Sequence, residues 1–196
     1  LAFCLILAGH ESLNRQAVQG DPSASPEPGA GWICTHRLYR ETEDPILQAC
    51  RRLGLRNTPQ NPVKVIFVPA FLNGRDGFFN RPYYEVLSAF DLAVFPSFYE
   101  PWGYTPQESA ALAVPTVTTD LAGFGLWALQ TVGEKDGLCI LRRRDRPDPE
   151  VAADLRNLLR EWALCPMEEL NRKRIAVRKA ALGTSWERFF PRYLEA

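Results

Sequence analysis

Glu100 and Glu108 stand eight positions apart in the run FYEPWGYTPQE (Phe98 to Glu108), and a carboxylate accepts hydrogen bonds from the hydroxyls of a sugar or a ribose. Between them Trp102, Gly103, Tyr104 and Thr105 make a glycine-bearing turn. Just upstream, LAVFPS (Leu92 to Ser97) is the short, uninterrupted apolar run of a doubly covered parallel strand. Just downstream, Thr105, Pro106 and Glu108 read as helix N-cap, first helical residue and capping-box acid. A strand that enters such a turn and then a helix aims free backbone N–H groups and the positive dipole end at whatever lies above the sheet. The expected guest is therefore an anion, and a diphosphate flanked by hydroxyl-binding acids is the layout for a sugar nucleotide.

Each of these residues also has an ordinary reading. A threonine followed three residues later by glutamate is a common helix start, so for Glu108 capping is the rival of ligand contact. Glu100 has no such alternative: between Tyr99 and Pro101 at the end of a buried strand, its carboxylate faces solvent or a ligand. One of Tyr83 and Tyr84, at the start of the preceding helix, offers a ring to a planar base, with core packing as its alternative. GFG (Gly123 to Gly125) either admits a ligand close to the backbone or marks a turn. His10 and His36 have no partners at metal-ligand spacing, so no metal is assigned, and no serine occupies a nucleophile elbow. In RKRIAVRK (Arg172 to Lys179), Arg174 and Arg178 share one helical face that either grips a phosphate or is simply solvated.

The scaffold that positions these groups reads as α/β. Predicted strands are LAFCLILA at the start, VKVIFVPAFL (Val63 to Leu72), LAVFPS, PTVTTD (Pro115 to Asp120) and GLCILRRR (Gly137 to Arg144). Asp44 and Pro45 start a helix with Ile46, Leu47, Cys50 and Leu53 on its apolar face, Pro82 begins another over YYEVLSAF, and everything from Asp148 onward is helical. Alternation of strands and helices without a hairpin signal implies a parallel sheet with right-handed crossovers. Ligands of such sheets bind beyond the carboxyl ends of the strands, where Phe71 to Gly77, Tyr99 to Thr105 and Asp120 to Gly125 fall. The stretch from Gly9 to Gly31, rich in Pro, Gly and Ser, is expected to be a mobile surface loop.

Composition bounds the function. The 196 residues, 46% apolar and 23% charged, suit one domain, an α/β core over 1–145 followed by helices over 146–196. Lys plus Arg equals Asp plus Glu at 23 each, which argues against nucleic acid and anionic membrane as partners. The five cysteines form no close pair and read as reduced core residues of a cytoplasmic protein. LAFCLILA is too short to span a bilayer, and a chain opening on a core strand reads as an excised piece.

Beyond these readings, CTH (Cys34 to His36), DPILQACRRLGLRN (Asp44 to Asn57), VKVIFVPAFLN (Val63 to Asn73), YEPWGYTPQE, GFG and SWERFFPRY (Ser185 to Tyr193) resemble the carboxyl-terminal domain of glycogen synthases of the animal and fungal type, glycosyltransferase family 3. The resemblance implies a GT-B fold with a Rossmann-like parallel sheet and helices on both faces. It implies transfer of glucose from UDP-glucose to the non-reducing end of a glycogen chain, an α-1,4-glucan, with retention and with no metal or cofactor. By resemblance, Glu100 holds hydroxyls of the donor glucose beside the reacting carbon and Glu108 holds the ribose. Trp102, Gly103, Tyr104 and Thr105 cradle the phosphates, and Tyr83 stacks on uracil. By resemblance, the family's phosphate-neutralising Arg and Lys lie just ahead of the strand with which this chain begins, and the amino-terminal domain with its acceptor site and catalytic histidine is also missing, so the chain alone is expected to be inactive. Arg174, Arg178 and Lys179 fall where the family's eukaryotic members bind glucose 6-phosphate, but Ala176 replaces one arginine of that row, which counts against such control. The alternatives are a non-catalytic glucan- or protein-binding module and a synthase using ADP-glucose. A homo-oligomer of the full-length protein is compatible with all of these.

Overall fold

The apolar opening run does form a strand, β1 (Ala2–Leu5), followed by β2 (His10–Leu13), β3 (His36–Leu38), α1 (Pro45–Arg52) and β4 (Val65–Val68). These elements belong to the first of two units, Leu1–Tyr83 and Tyr84–Ala196, in a computed structural model that describes residues 1–14, 32–133 and 136–195. β1 runs parallel to β4, with Phe3 opposite Ile66 and Leu5 opposite Val68. On the other edge of β4 the Phe67 amide donates to the Ile33 carbonyl at 2.8 Å, and the Thr35 amide donates to the Phe67 carbonyl at 2.9 Å. With neighbours on both edges and apolar side chains on both faces, β4 is buried at every position, as its unbroken VIFV predicts. It ends at Pro69, which has no N–H to continue the ladder.

Two expectations fail here. The surface loop from Gly9 to Gly31 begins instead as β2, antiparallel to β3 with His10 opposite Leu38 and Leu13 opposite His36. Residues 15–31 of that stretch lie outside the described residues. The all-parallel reading is corrected by the same pair, which is joined by a long connection rather than a two-residue turn with a sequence signature.

α1 starts as read from the sequence. The Asp44 carboxylate accepts from the amides of Ile46 and Leu47 at 3.0 and 2.9 Å, and Pro45 opens the helix. Leu47 and Cys50 are buried, but Leu53, the C-cap, is exposed rather than on the apolar face. All five cysteines are free thiols. Burial pushes the Cys34 thiol up to about 11, which keeps it protonated and a poor nucleophile.

His36 is buried, with Nε2 at 2.9 Å from the Asp76 carbonyl, Nδ1 at 2.8 Å from Thr35 Oγ1 and the His10 ring edge-on at 4.8 Å. Burial holds its imidazole below the usual range, His10 adds to the lowering, and the Asp76 carbonyl and carboxylate oppose it. The native state therefore keeps His36 neutral where the unfolded chain, at an ordinary pKa of about 6.5, takes up a proton. Stability is expected to be full above that value and to fall as pH drops through it, by at most about 1.4 kcal/mol per pH unit for this one proton. Urea unfolding at a series of pH values checks this: the slope between neutrality and pH 5 should be shallower in His36→Gln than in the wild type.

The second unit carries α2 (Tyr83–Ser88, beginning on the last residue of the first unit), β5 (Ala93–Val94), α3 (Tyr104–Ala111), β6 (Thr116–Thr119), α4 (Gly123–Thr131), β7 (Leu138–Leu141), α5 (Asp148–Ala163), α6 (Met167–Ala181), a 3-10 turn (Leu182–Thr184) and α7 (Trp186–Glu195). The three strands are parallel in the order β5, β6, β7. Alternation along β7 separates two cores: Leu138 and Ile140 pack with Phe124 of α4 and Val177 of α6, while Cys139 and Leu141 pack with Val151 and Leu155 of α5. Helices thus cover both faces of the sheet, the α/β, Rossmann-like class predicted from the sequence. β5 is shorter than LAVFPS; the Phe95 amide still donates to Val117 at 2.9 Å, and Pro96 then ends the ladder. Asp120 to Gly125 is not wholly a loop, since α4 begins at Gly123. Among the described residues no helix is long and apolar enough to cross a membrane.

Candidate functional site

The carboxyl end of β5 passes into a turn fastened by both backbone and side-chain hydrogen bonds. Thr119 Oγ1 donates to the Ser97 carbonyl at 2.9 Å, and Glu100 extends the strand by pairing with Ala122, its amide donating to Leu121 at 3.2 Å and its carbonyl accepting from Gly123 at 3.1 Å. Asp120, itself buried, accepts the amides of Arg143 and Arg144 at 2.8 and 3.1 Å and so ties the end of β6 to that of β7. The Arg143 guanidinium lies 3.3 Å over the Phe98 ring, donates to the Pro96 carbonyl at 2.7 Å and pairs with Asp148 at 2.9 Å. Asp120 and Arg143 do not appear among the sequence candidates, and the available signal was weak: a short acid at a strand end, able to bind backbone amides.

Gly103 takes the left-handed conformation, φ 99° and ψ 70°, and is the N-cap of α3. A side chain there would be strained, and its Cβ would lie 3.5 Å from Glu100 Oε2 and 3.1 Å from Pro106 Cγ. This turn overturns the capping box. The helix starts at Tyr104, not at Pro106, so Thr105 is already the second helical residue, Glu108 is too deep to reach back to the cap, and no side chain caps the helix. The first amides of an α-helix have no partner within the helix, no side chain caps them here, and Tyr104 and Thr105 are exposed.

Glu100 is half-buried, its carboxylate accepts from Ser97 Oγ at 3.3 Å, and it enters no ion pair among the described residues. Glu108 is half-buried on α3 and accepts the Tyr84 hydroxyl at 2.8 Å. Glu100 is therefore held beside Gly103 where Tyr104 and Thr105 open α3, with Glu108 about one turn further along the helix. Trp102 belongs there by its backbone only: its indole donates to Gln107 Oε1, and its ring packs against Phe124 and Phe189 at 6.1 and 5.3 Å. Gln107 also donates to Thr184 Oγ1 at 2.9 Å, which clamps the turn onto the carboxyl-terminal helices. Tyr83 opens α2 in half-buried position, its amide donating to the Leu72 carbonyl at 2.9 Å.

The glycines of GFG admit protein rather than ligand. A Cβ on Gly123 would overlap the Pro101 carbonyl oxygen, and one on Gly125 would overlap the Thr119 carbonyl oxygen. Arg174 is committed inside the unit: it donates to the carbonyls of Phe90 at 2.9 Å and Ala113 at 3.4 Å and pairs with Asp91 at 3.1 Å. Arg178 and Lys179 are exposed on α6. Among the described residues no three His, Cys, Asp or Glu side chains gather as metal ligands.

Compared with known proteins, residues 27–188 match the family model described as glycogen synthase. The chain belongs to the glycogen synthase family. It is 36% identical over 155 residues to a glycogen (starch) synthase of Caenorhabditis elegans, covering 78% of this chain and 22% of that protein. It is 35% identical over 172 residues to glycogen (starch) synthase isoform 1 of Saccharomyces cerevisiae, covering 84% and 24%. To the liver glycogen (starch) synthase of Homo sapiens it is 37% identical over 148 residues, covering 74% and 20%. The chain thus spans less than a quarter of the length of these curated relatives. As a glycogen synthase family member it has the GT-B glycosyltransferase fold, to which the two-faced parallel sheet around β6 belongs.

Proposed function

We propose that this chain is the nucleotide-sugar-binding domain of a glycogen synthase, the region that holds UDP-glucose while its glucose is transferred to the non-reducing end of an α-1,4-glucan with retention. The observation that carries this reading is the uncapped start of α3 behind left-handed Gly103, with the Glu100 carboxylate beside it and outside any ion pair among the described residues.

The chemistry of transfer suits that arrangement. The bond from the glucosyl C1 to the diphosphate oxygen breaks, its electron pair leaves with UDP, a new bond forms to the acceptor hydroxyl oxygen, and the proton of that hydroxyl passes to the released diphosphate. Negative charge grows on the diphosphate as the bond breaks, so fixed amides at a helix start bind the transition state more strongly than the ground state. Glu100 accepts from glucose hydroxyls next to C1, Glu108 accepts from the ribose, and Tyr83 stacks on the uracil. Trp102 contributes its backbone to the phosphate turn. No metal or cofactor takes part in this reading. The acceptor site and the cations that neutralise the diphosphate lie elsewhere in the full-length protein, which works in the cytoplasm. Of the basic row on α6, exposed Arg178 and Lys179 are the ones a regulatory phosphate would meet.

Titration of UDP into the full-length protein, followed by calorimetry and by the amide resonance of Thr105, tests the site. Saturable binding that moves Thr105 is expected, and no response at millimolar UDP overturns the reading. Tyr83→Ala should raise the Kd for UDP about tenfold, the scale of one base-on-aromatic stack, and leave kcat at saturating donor within about twofold. A fall in kcat with unchanged affinity would remove Tyr83 from the donor site.

A further inference from the structure

We propose that Tyr84 is the positioning residue for Glu108, its hydroxyl holding Oε1 so that the rest of the carboxylate faces the ribose diol of the bound nucleotide. The proposal rests on the donor-site reading above and assigns a role to a side chain that reading leaves unused.

Tyr84 and Glu108 lie on different helices, α2 and α3, and are 24 residues apart in sequence, yet their oxygens are 2.8 Å apart. The direction of the bond is fixed by chemistry: an ionised carboxylate only accepts, so the phenol donates. Glu108 is not occupied in capping, and a half-exposed glutamate on a helix otherwise samples several rotamers. A tyrosine side chain has two torsions and a rigid ring, so its hydroxyl is a well-defined anchor. One lone pair of Oε1 is taken, leaving the other and both lone pairs of Oε2 for two hydroxyls. Burial does not account for the placement of Tyr84, which is 52% exposed. The hydrogen bond to Glu108, followed by its charge, raises the Tyr84 phenol above its ordinary pKa, the direction expected of a phenol that donates to a carboxylate. Tyr83, one position earlier on α2, is the base-stacking residue, so consecutive tyrosines serve the base and the sugar of one nucleoside.

A surface tether between α2 and α3 would produce the same contact, and ribose discrimination separates the two. UDP and 2′-deoxy-UDP are titrated by calorimetry into the full-length protein, wild type and Tyr84→Phe, with thermal melting to confirm that the variant is folded. The wild type is expected to prefer UDP. Tyr84→Phe should raise the Kd for UDP about three- to tenfold, the scale of one net hydrogen bond, and raise that for 2′-deoxy-UDP, which keeps the 3′ hydroxyl, by a smaller factor. Equal changes for both ligands, or none, in a protein that still discriminates would overturn the positioning role and leave the donor site standing. A wild type that binds both ligands equally would remove the ribose contact of Glu108 and the proposal with it. A wild type that binds neither would overturn the donor-site reading itself.

Discussion

Glu100→Gln in the full-length enzyme is expected to lower kcat for glucosyl transfer about a hundredfold while KM for UDP-glucose stays within about threefold. The substitution keeps the size and shape of the side chain but replaces one acceptor oxygen by an NH2 donor and removes the charge. In the proposed donor site its partners beside the reacting carbon are hydroxyls whose hydrogen bonds strengthen as the glucosyl group gains positive character, so the loss should fall on the transition state rather than on ground-state binding. The fold should be indifferent, since among the described residues the carboxylate accepts one side-chain hydrogen bond, at 3.3 Å from Ser97, and enters no ion pair. Steady-state kinetics with UDP-glucose varied against glycogen read both constants. Equal changes in kcat and KM would mean that Glu100 holds the donor without favouring its reaction.

The second large effect is on stability. Gly123→Ala is expected to cost about 3–5 kcal/mol, at or above the top of the usual range for single substitutions, because backbone has to move. The added methyl overlaps the Pro101 carbonyl oxygen and lies 3.0 Å from Trp102 Cα, and neither is the yielding end of a flexible side chain. These backbone atoms belong to the turn between Glu100 and Gly103, so affinity for UDP should fall together with the melting temperature. Gly54→Ala is the informative comparison. Gly54 has φ 68° and nothing within 4 Å of an added Cβ, so only the left-handed penalty of about 1–2 kcal/mol applies. Melting of both variants by circular dichroism checks the ordering. A Gly123→Ala protein as stable as Gly54→Ala would show that the α4 start slides away from the turn without cost.

Much of the local structure around the candidate site was legible because its signals are local. Asp44 before Pro45 specifies a capped helix start within four residues, and unbroken VIFV specifies a strand covered on both faces. Likewise LAVFPS followed by YEPWGYTP places Glu100 at the end of a parallel strand and a glycine turn with a helix start after it.

The misreadings share a different cause. Thr105 and Glu108 satisfy the capping-box spacing, but the left-handed Gly103 starts the helix earlier and leaves Glu108 to Tyr84, a partner that no short window contains. Arg174 looks like half of an anion grip by its spacing to Arg178, yet its donors meet Phe90, Asp91 and Ala113, more than 60 positions away. The glycines of GFG look permissive toward a ligand and turn out to be required by the carbonyls of Pro101 and Thr119. From the residues alone follow the strand, the turn, the helix and the acid at their junction, since propensity, capping and chain stiffness act over a few neighbours. Which oxygen of Glu108 is held, which arginine stays in solvent and which glycine has room were decided only when distant segments packed, because close contacts between atoms depend on where the whole chain puts them.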